Sequence, residues 1–176
     1  MYNRKIVRRD IEQIYTGLYI EAVCCFERFL EDLFIGILVG RLKHPLSNVV
    51  PRVTFRSDII ARDVVFGGND YVDWLPYYHT EKRANAFFRN GLPFTSLQSS
   101  DKKIIEQICY IRNAIAHKSK HSKKLFDNKV IGDIPIPLRD RTPAAFLRSK
   151  FRIAPVQTRY ENLIIEMSLI AIKLCS

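Results

Sequence analysis

Apolar residues recur every three or four positions along most of the chain, the period of a helix that buries one face. In residues 5–40 they are Ile11, Ile14, Leu18, Ala22, Phe26, Phe29, Leu33 and Ile37, with no proline among them. Arg9, Glu12, Arg28, Glu31 and Asp32 take the other faces. This stretch predicts one long helix, stopped by Gly40 and then Pro45. Ile104, Ile108, Ile111 and Ile115 form a second stripe and predict a helix over 101–117. A last helix is expected over 155–174. Within it, 163–172 is apolar apart from Glu166 and Ser168, which predicts a buried core helix.

The segments between are less regular. Ser57 is placed to cap a short helix over 57–65, and Gly67-Gly68-Asn69-Asp70 reads as a turn. Thr80 is placed to cap a helix over 80–90 that Gly91 ends. Pro93 and the serine-rich 96–100 make a connection. Residues 118–154 carry Pro135, Pro137 and Pro143 and read as an irregular excursion with a short helix near 143–150. No internal repeat is present. The expected fold is all-α, an up-and-down bundle of about four or five main helices with the excursion before the last. It is expected to form a single domain over 1–176.

Composition narrows the class. In 176 residues, 47% are hydrophobic and 26% charged, which suits a globular domain with a sizeable core. Glu21, Glu27, Glu31 and Asp32 interrupt the apolar stretch 18–39 and exclude a membrane span there. No apolar run follows the opening Met1-Tyr-Asn-Arg-Lys, so no signal peptide is expected. Cys24, Cys25, Cys109 and Cys175 have neither zinc spacing nor a disulfide framework, so a reduced, cytoplasmic protein is expected. The 28 Lys and Arg against 18 Asp and Glu leave a net charge of +10, a field that draws polyanions such as nucleic acid.

That charge is concentrated where the chemistry is. Between Gln107 and Phe126 there is no acidic residue, while Arg112, Lys118, Lys120, Lys123 and Lys124 are joined by His117 and His121. On an ideal helix the Ile104–Ile115 stripe spans about 60°, and Glu106, Tyr110, Asn113 and His117 group on the far side. Asn113, four residues before His117, is placed to bond the imidazole and fix its tautomer. Arg112 lies about 140° around from His117. Either the helix ends between them, the arginine reaches round, or a second copy completes the site.

The residue set matches RNA cleavage by the ribose 2′-OH. One group must take the hydroxyl proton and another must protonate the leaving 5′-oxygen, and histidine does both near neutral pH. Arginine can clamp the phosphoryl oxygens in bidentate fashion as charge builds.

Arg112-Asn113-Ala114-Ile115-Ala116-His117 resembles the R-x(4–6)-H motif of the HEPN superfamily. The fuller string Cys109-Tyr-Ile-Arg-Asn-Ala-Ile-Ala-His-Lys-Ser adds to the likeness, as does Phe26-Glu-Arg-Phe-Leu-Glu-Asp-Leu-Phe in the first helix. Asn90-Gly-Leu-Pro-Phe and Pro155-Val-Gln-Thr-Arg-Tyr-Glu-Asn resemble the RiboL-PSP-HEPN branch or a related HEPN group. The resemblance covers most of the chain, and the motifs that carry it lie outside 127–154. It implies a symmetric dimer with the active site at the two-fold axis and a metal-independent endoribonuclease with no cofactor. Arg112 and His117 would be its motif pair. Its products would carry 2′,3′-cyclic phosphate and 5′-hydroxyl ends. It also implies a toxin or anti-phage effector with a cognate antitoxin or defence partner, and no membrane partner. The other outcome it implies is a non-catalytic module that binds nucleotides or a protein.

Asn113 joins the catalytic set, and Lys118, Lys120, His121, Lys123 and Lys124 are the expected RNA contacts. Glu27 and Tyr110 are supporting candidates, Glu27 as a carboxylate that orients Arg112 or His117. His117 and His121 are spaced as a metal pair, but no third ligand follows, so no metal is expected. His44 and His79 read as structural or exposed. Trp74, Tyr77 and Tyr78 are core or base-stacking residues, and Phe87 and Phe88 core. A basic DNA-binding regulator lacks a helix-turn-helix signature here.

Overall fold

The computed structural model describes residues 6–117 and 119–176. Among them the regular elements are seven α-helices, one two-stranded sheet and short 3₁₀ and π turns, and the fold class is all-α as the periodicity predicts. No helix among the described residues is long and apolar enough to cross a membrane.

In order, α1 is Arg8–Leu38, α2 Asp58–Phe66, α3 Tyr77–Phe87, α4 Ser99–Ala116, α5 Lys120–Phe126, α6 Pro143–Arg148 and α7 Arg159–Cys175. The strands β1 (Lys150–Ile153) and β2 (Val156–Thr158) pair antiparallel between α6 and α7. The chain divides into two compact units. The first runs up to Cys24 and from Gln107 to Glu166; the second is Cys25–Glu106 with Met167–Ser176. The division cuts α1, α4 and α7.

The second unit is built around Phe34. Trp74, Phe88 and Phe94 lie with ring centroids 4.9–5.2 Å from it, and Phe87 meets it edge-on at 5.9 Å. Trp74 donates its indole N–H to Glu31 at 3.0 Å, and Glu31 also pairs with Arg62. Tyr77 donates to Phe94 O at 2.8 Å, and Thr80 to Trp74 O. Buried Asp101 is matched by Lys173 at 2.7 Å, which meets the requirement that a buried carboxylate have a partner.

The first unit buries Tyr19, Val23, Ile108, Cys109 and Ile111 together with Phe126, Phe146 and Leu147 of the excursion. Phe126 and Phe146 meet edge to face at 5.8 Å. The guanidinium of Arg159 lies 4.9 Å over the Phe146 ring. Arg8 links α1 to Asp140 at 2.9 Å and to Glu12 at 2.7 Å.

Several expectations shift. Ser57 does cap α2, accepting from Ile60 N, and Gly67 closes it at φ +62°. Thr80 caps nothing: α3 starts three residues earlier at Tyr77, because Thr80 spends its hydroxyl on the Trp74 carbonyl. The excursion holds more order than its prolines suggest, with α5 following Ser119 and a β-hairpin at 150–158. That hairpin occupies the expected start of the last helix. α7 instead begins at Arg159 behind a capping box, in which Thr158 N–H donates to Glu161 at 2.7 Å and Glu161 N–H donates back to Thr158 at 3.2 Å.

The apolar faces also move. In the first half of α1 the buried residues are Tyr19 and Val23, while Ile11, Ile14 and Leu18 are exposed. In α4 Ile105, Ile108, Cys109 and Ile111 are buried, and Ile104 and Ile115 are only half-buried. α7 is not buried all round: Leu163, Met167, Ile170 and Leu174 face inward, and Ile165, Leu169 and Ile172 are exposed. Spacing marks an apolar stripe; which stripe is covered depends on what packs against it.

Candidate functional site

The end of α4 carries the motif. The helix continues unbroken through Ala116, and His117 N–H still donates to Asn113 O at 2.8 Å. It therefore does not end between Arg112 and His117. On this unbroken helix the two side chains leave the axis about 140° apart.

Arg112 is half-buried and donates from Nη1 to Asn113 Oδ1 at 3.1 Å. The Asn113 carbonyl oxygen thus serves Arg112 and not, as expected, the imidazole. Near it, Tyr19 donates its buried hydroxyl to Ile108 O at 3.2 Å. Burial pushes the Tyr19 phenol well above its ordinary pKa, and the positive charge of Arg112 pulls partly against that rise. His117 stands exposed just past the last turn of α4, and its carbonyl accepts from Ser119 N at 2.6 Å. Tyr110 is half-buried one turn before Asn113.

Ser119 caps α5 by accepting from Ser122 N at 3.1 Å. On α5, Lys120, Lys123 and Lys124 share an arc of about 100°, and buried Ser122 and Phe126 lie opposite. Lys120, His121, Lys123 and Lys124 are all exposed. Lys123 pairs with Asp127 at 2.8 Å. Lys118 lies outside the described residues. The break at Ser119 puts His117 and His121 on different elements, so they are not a metal pair on one helix face. Among the described residues no group of three or more His, Cys, Asp or Glu side chains could hold a metal ion.

Glu27 belongs to the other unit, half-buried on α1. His44 is structural, with Nε2 3.0 Å from Leu174 O and Nδ1 accepting from Leu46 N at 3.2 Å, which fixes the proton on Nε2. His79 lies against Tyr78, centroids 4.0 Å apart. Trp74 and Tyr77 are core, which removes them from base stacking; Tyr78 alone of the three is exposed. Phe88 is fully buried and Phe87 half-buried.

The structure adds residues the sequence reading passed over. Arg141 and Pro143 line a cavity of about 290 Å³ in the first unit with Ala114 of the motif, Lys120 and Lys123. One sign of this turn was legible: Thr142-Pro143 is a cap followed by proline at the first helical position, and Thr142 does cap α6. Comparisons of the chain with protein-family models, curated proteins and solved structures find no match.

Proposed function

We propose that the protein is an endoribonuclease that needs no metal and cleaves RNA by attack of the 2′-OH on the adjacent phosphorus. The reading rests on one observation: an exposed imidazole, His117, ends α4 one turn past a half-buried Arg112, and the lysine face of α5 follows directly. His117 would take the 2′-OH proton or give one to the 5′-oxygen, and Arg112 would hold the phosphoryl oxygens. Lys120, Lys123, Lys124 and His121 would carry the strand.

On an ideal helix Arg112 and His117 leave the axis about 140° apart, so either the arginine reaches round, the side its bond to Asn113 takes it, or a second copy completes the site. The active unit is proposed as a homodimer in which the arginine of one chain and the histidine of the other meet. An unpartnered apolar stripe supports it: Ile11, Ile14 and Leu18, at steps of three and four on α1, are exposed, as is Val7 just before the helix. A role as a toxin or anti-phage effector, with an antitoxin or defence partner, belongs to the same reading.

The test is purified protein with total RNA in EDTA. Fragments ending in 2′,3′-cyclic phosphate and 5′-hydroxyl are expected; intact RNA sinks the nuclease. The engagement of Arg112 by Asn113 favours a second reading, a non-catalytic module that binds nucleotides or a protein. RNA retained but uncut in the same assay supports that module.

A further inference from the structure

The cavity beside the motif has two chemically distinct parts. Ala114, Phe126 and Pro143 are its apolar part, from α4, α5 and α6. Lys120, Lys123 and Arg141 line it as cations. Its volume of about 290 Å³ is near the small end of ligand sites, large enough for one planar ring system and a phosphate. Arg141 is anchored by Nε on Ile136 O at 3.1 Å, which fixes the direction of its guanidinium. Lys123 pairs with Asp127 at 2.8 Å. The lining residues themselves include three cations and no carboxylate.

The cavity is also tied to the motif. Ala114 lies between Asn113 and His117, and Ser119, another lining residue, donates its N–H to the His117 carbonyl. The cavity is thus lined by residues that flank His117 in the chain.

We infer that this cavity binds one nucleotide unit of single-stranded RNA, with the base against Ala114, Phe126 and Pro143 and a flanking phosphate on Lys120, Lys123 and Arg141. An apolar site without cations would take any ring, and cations without an apolar site would take any phosphate. The two together select a base joined to a phosphate. The choice of RNA rests on the ribonuclease reading; the nucleotide chemistry rests on the cavity itself. The consequence for that reading is a substrate held by one base beside His117, so cleavage would fall at a fixed distance from it.

The experiment is calorimetric titration of the intact protein with the four nucleoside 5′-monophosphates, ribose 5-phosphate and inorganic phosphate, beside the RNA cleavage assay. At least one nucleoside monophosphate should bind about tenfold tighter than ribose 5-phosphate, the scale of one base contact. Ala114→Leu fills the cavity and should remove that advantage. Arg141→Ala, at an exposed position, should weaken the nucleotides and ribose 5-phosphate alike, and it keeps the test decisive if the leucine disturbs α4. Equal binding of ribose 5-phosphate and all four nucleotides overturns the inference, as does Ala114→Leu and Arg141→Ala protein that binds like the wild type. If RNA is cut but no nucleotide binds tighter than ribose 5-phosphate, the cavity fails and the nuclease stands. If nucleotides bind with these sensitivities but no RNA is cut, the cavity stands and the nuclease fails.

Discussion

His117 contributes little burial, because it is exposed beyond the last turn of α4. His117→Ala should therefore leave stability within about 0.5 kcal/mol and lower cleavage by about 10²–10⁴, as loss of a general acid or base does. Thermal melts and a fluorogenic RNA assay read the two effects separately. Full activity of the folded variant removes His117 from the chemistry. Arg112→Lys keeps the charge and loses the planar fork, so cleavage should fall about a hundredfold. Tyr19 makes a different prediction. Its phenol has a pKa raised by burial, so the folded state holds that proton more tightly than the unfolded chain. Its stabilisation is complete below the ordinary tyrosine value of 10.0 and is lost as pH rises past it. Wild-type stability should drop between pH 9 and pH 11 by more than that of Tyr19→Phe. Parallel urea midpoints for the two proteins across that range would exclude the buried phenol as the cause.

At the scale of elements, α5 is a short helix whose only long exposed side chains on one arc are lysines. Replacing Lys120, Lys123 and Lys124 by glutamine, with Lys118 included, should weaken RNA binding and flatten its salt dependence by roughly 0.7 in log–log slope per lost phosphate contact. An unchanged slope places the RNA path elsewhere. The capping box that opens α7 is local and legible as Thr158-x-x-Glu161, yet the expected helix starts at Pro155, inside what is a hairpin. Val156 pairs with Ile153 and Thr158 with Lys150 in the sheet, so the helix begins only at Arg159. Thr158→Ala should cost about 1 kcal/mol by chemical denaturation, and a value near zero would show α7 to be held by packing alone. The same contrast runs through the candidate site. The helix carrying Arg112 and His117 could be read from its stripe, but the anchoring of Arg112 on Asn113 could not, because two neighbouring polar side chains offer several pairings and packing selects among them.

The whole molecule carries the prediction about assembly. Exposed Ile11, Ile14 and Leu18 form a seam on α1 that nothing described in the chain covers, and a two-fold partner would bury it. Light scattering should give twice the chain mass. Ile14→Glu with Leu18→Glu should return the monomer, with helical content kept and cleavage lost. Mixing Arg112→Ala with His117→Ala chains should restore part of the activity, since one intact arginine and one intact histidine then meet. A monomer with full activity at nanomolar concentration refutes the shared site.

The sequence by itself determined the helical class, the extents of α1, α2 and α4 to within a few residues, and the concentration of basic residues after the motif. Each follows from local causes: a 3.6-residue period, a capping side chain, a glycine that accepts positive φ, and charge counted along the chain. Tertiary structure decided which apolar faces are covered. It put Tyr19 rather than Leu18 inside, turned Ile165, Leu169 and Ile172 outward, drew Trp74 against Phe34 and tied buried Tyr77 to the Phe94 carbonyl. It also closed a cavity from Ala114, Phe126 and Pro143, residues up to 29 positions apart (143 − 114 = 29). The physical reason is that periodicity records what a segment can bury, whereas burial depends on the surface brought against it, and that surface comes from residues far away in the chain.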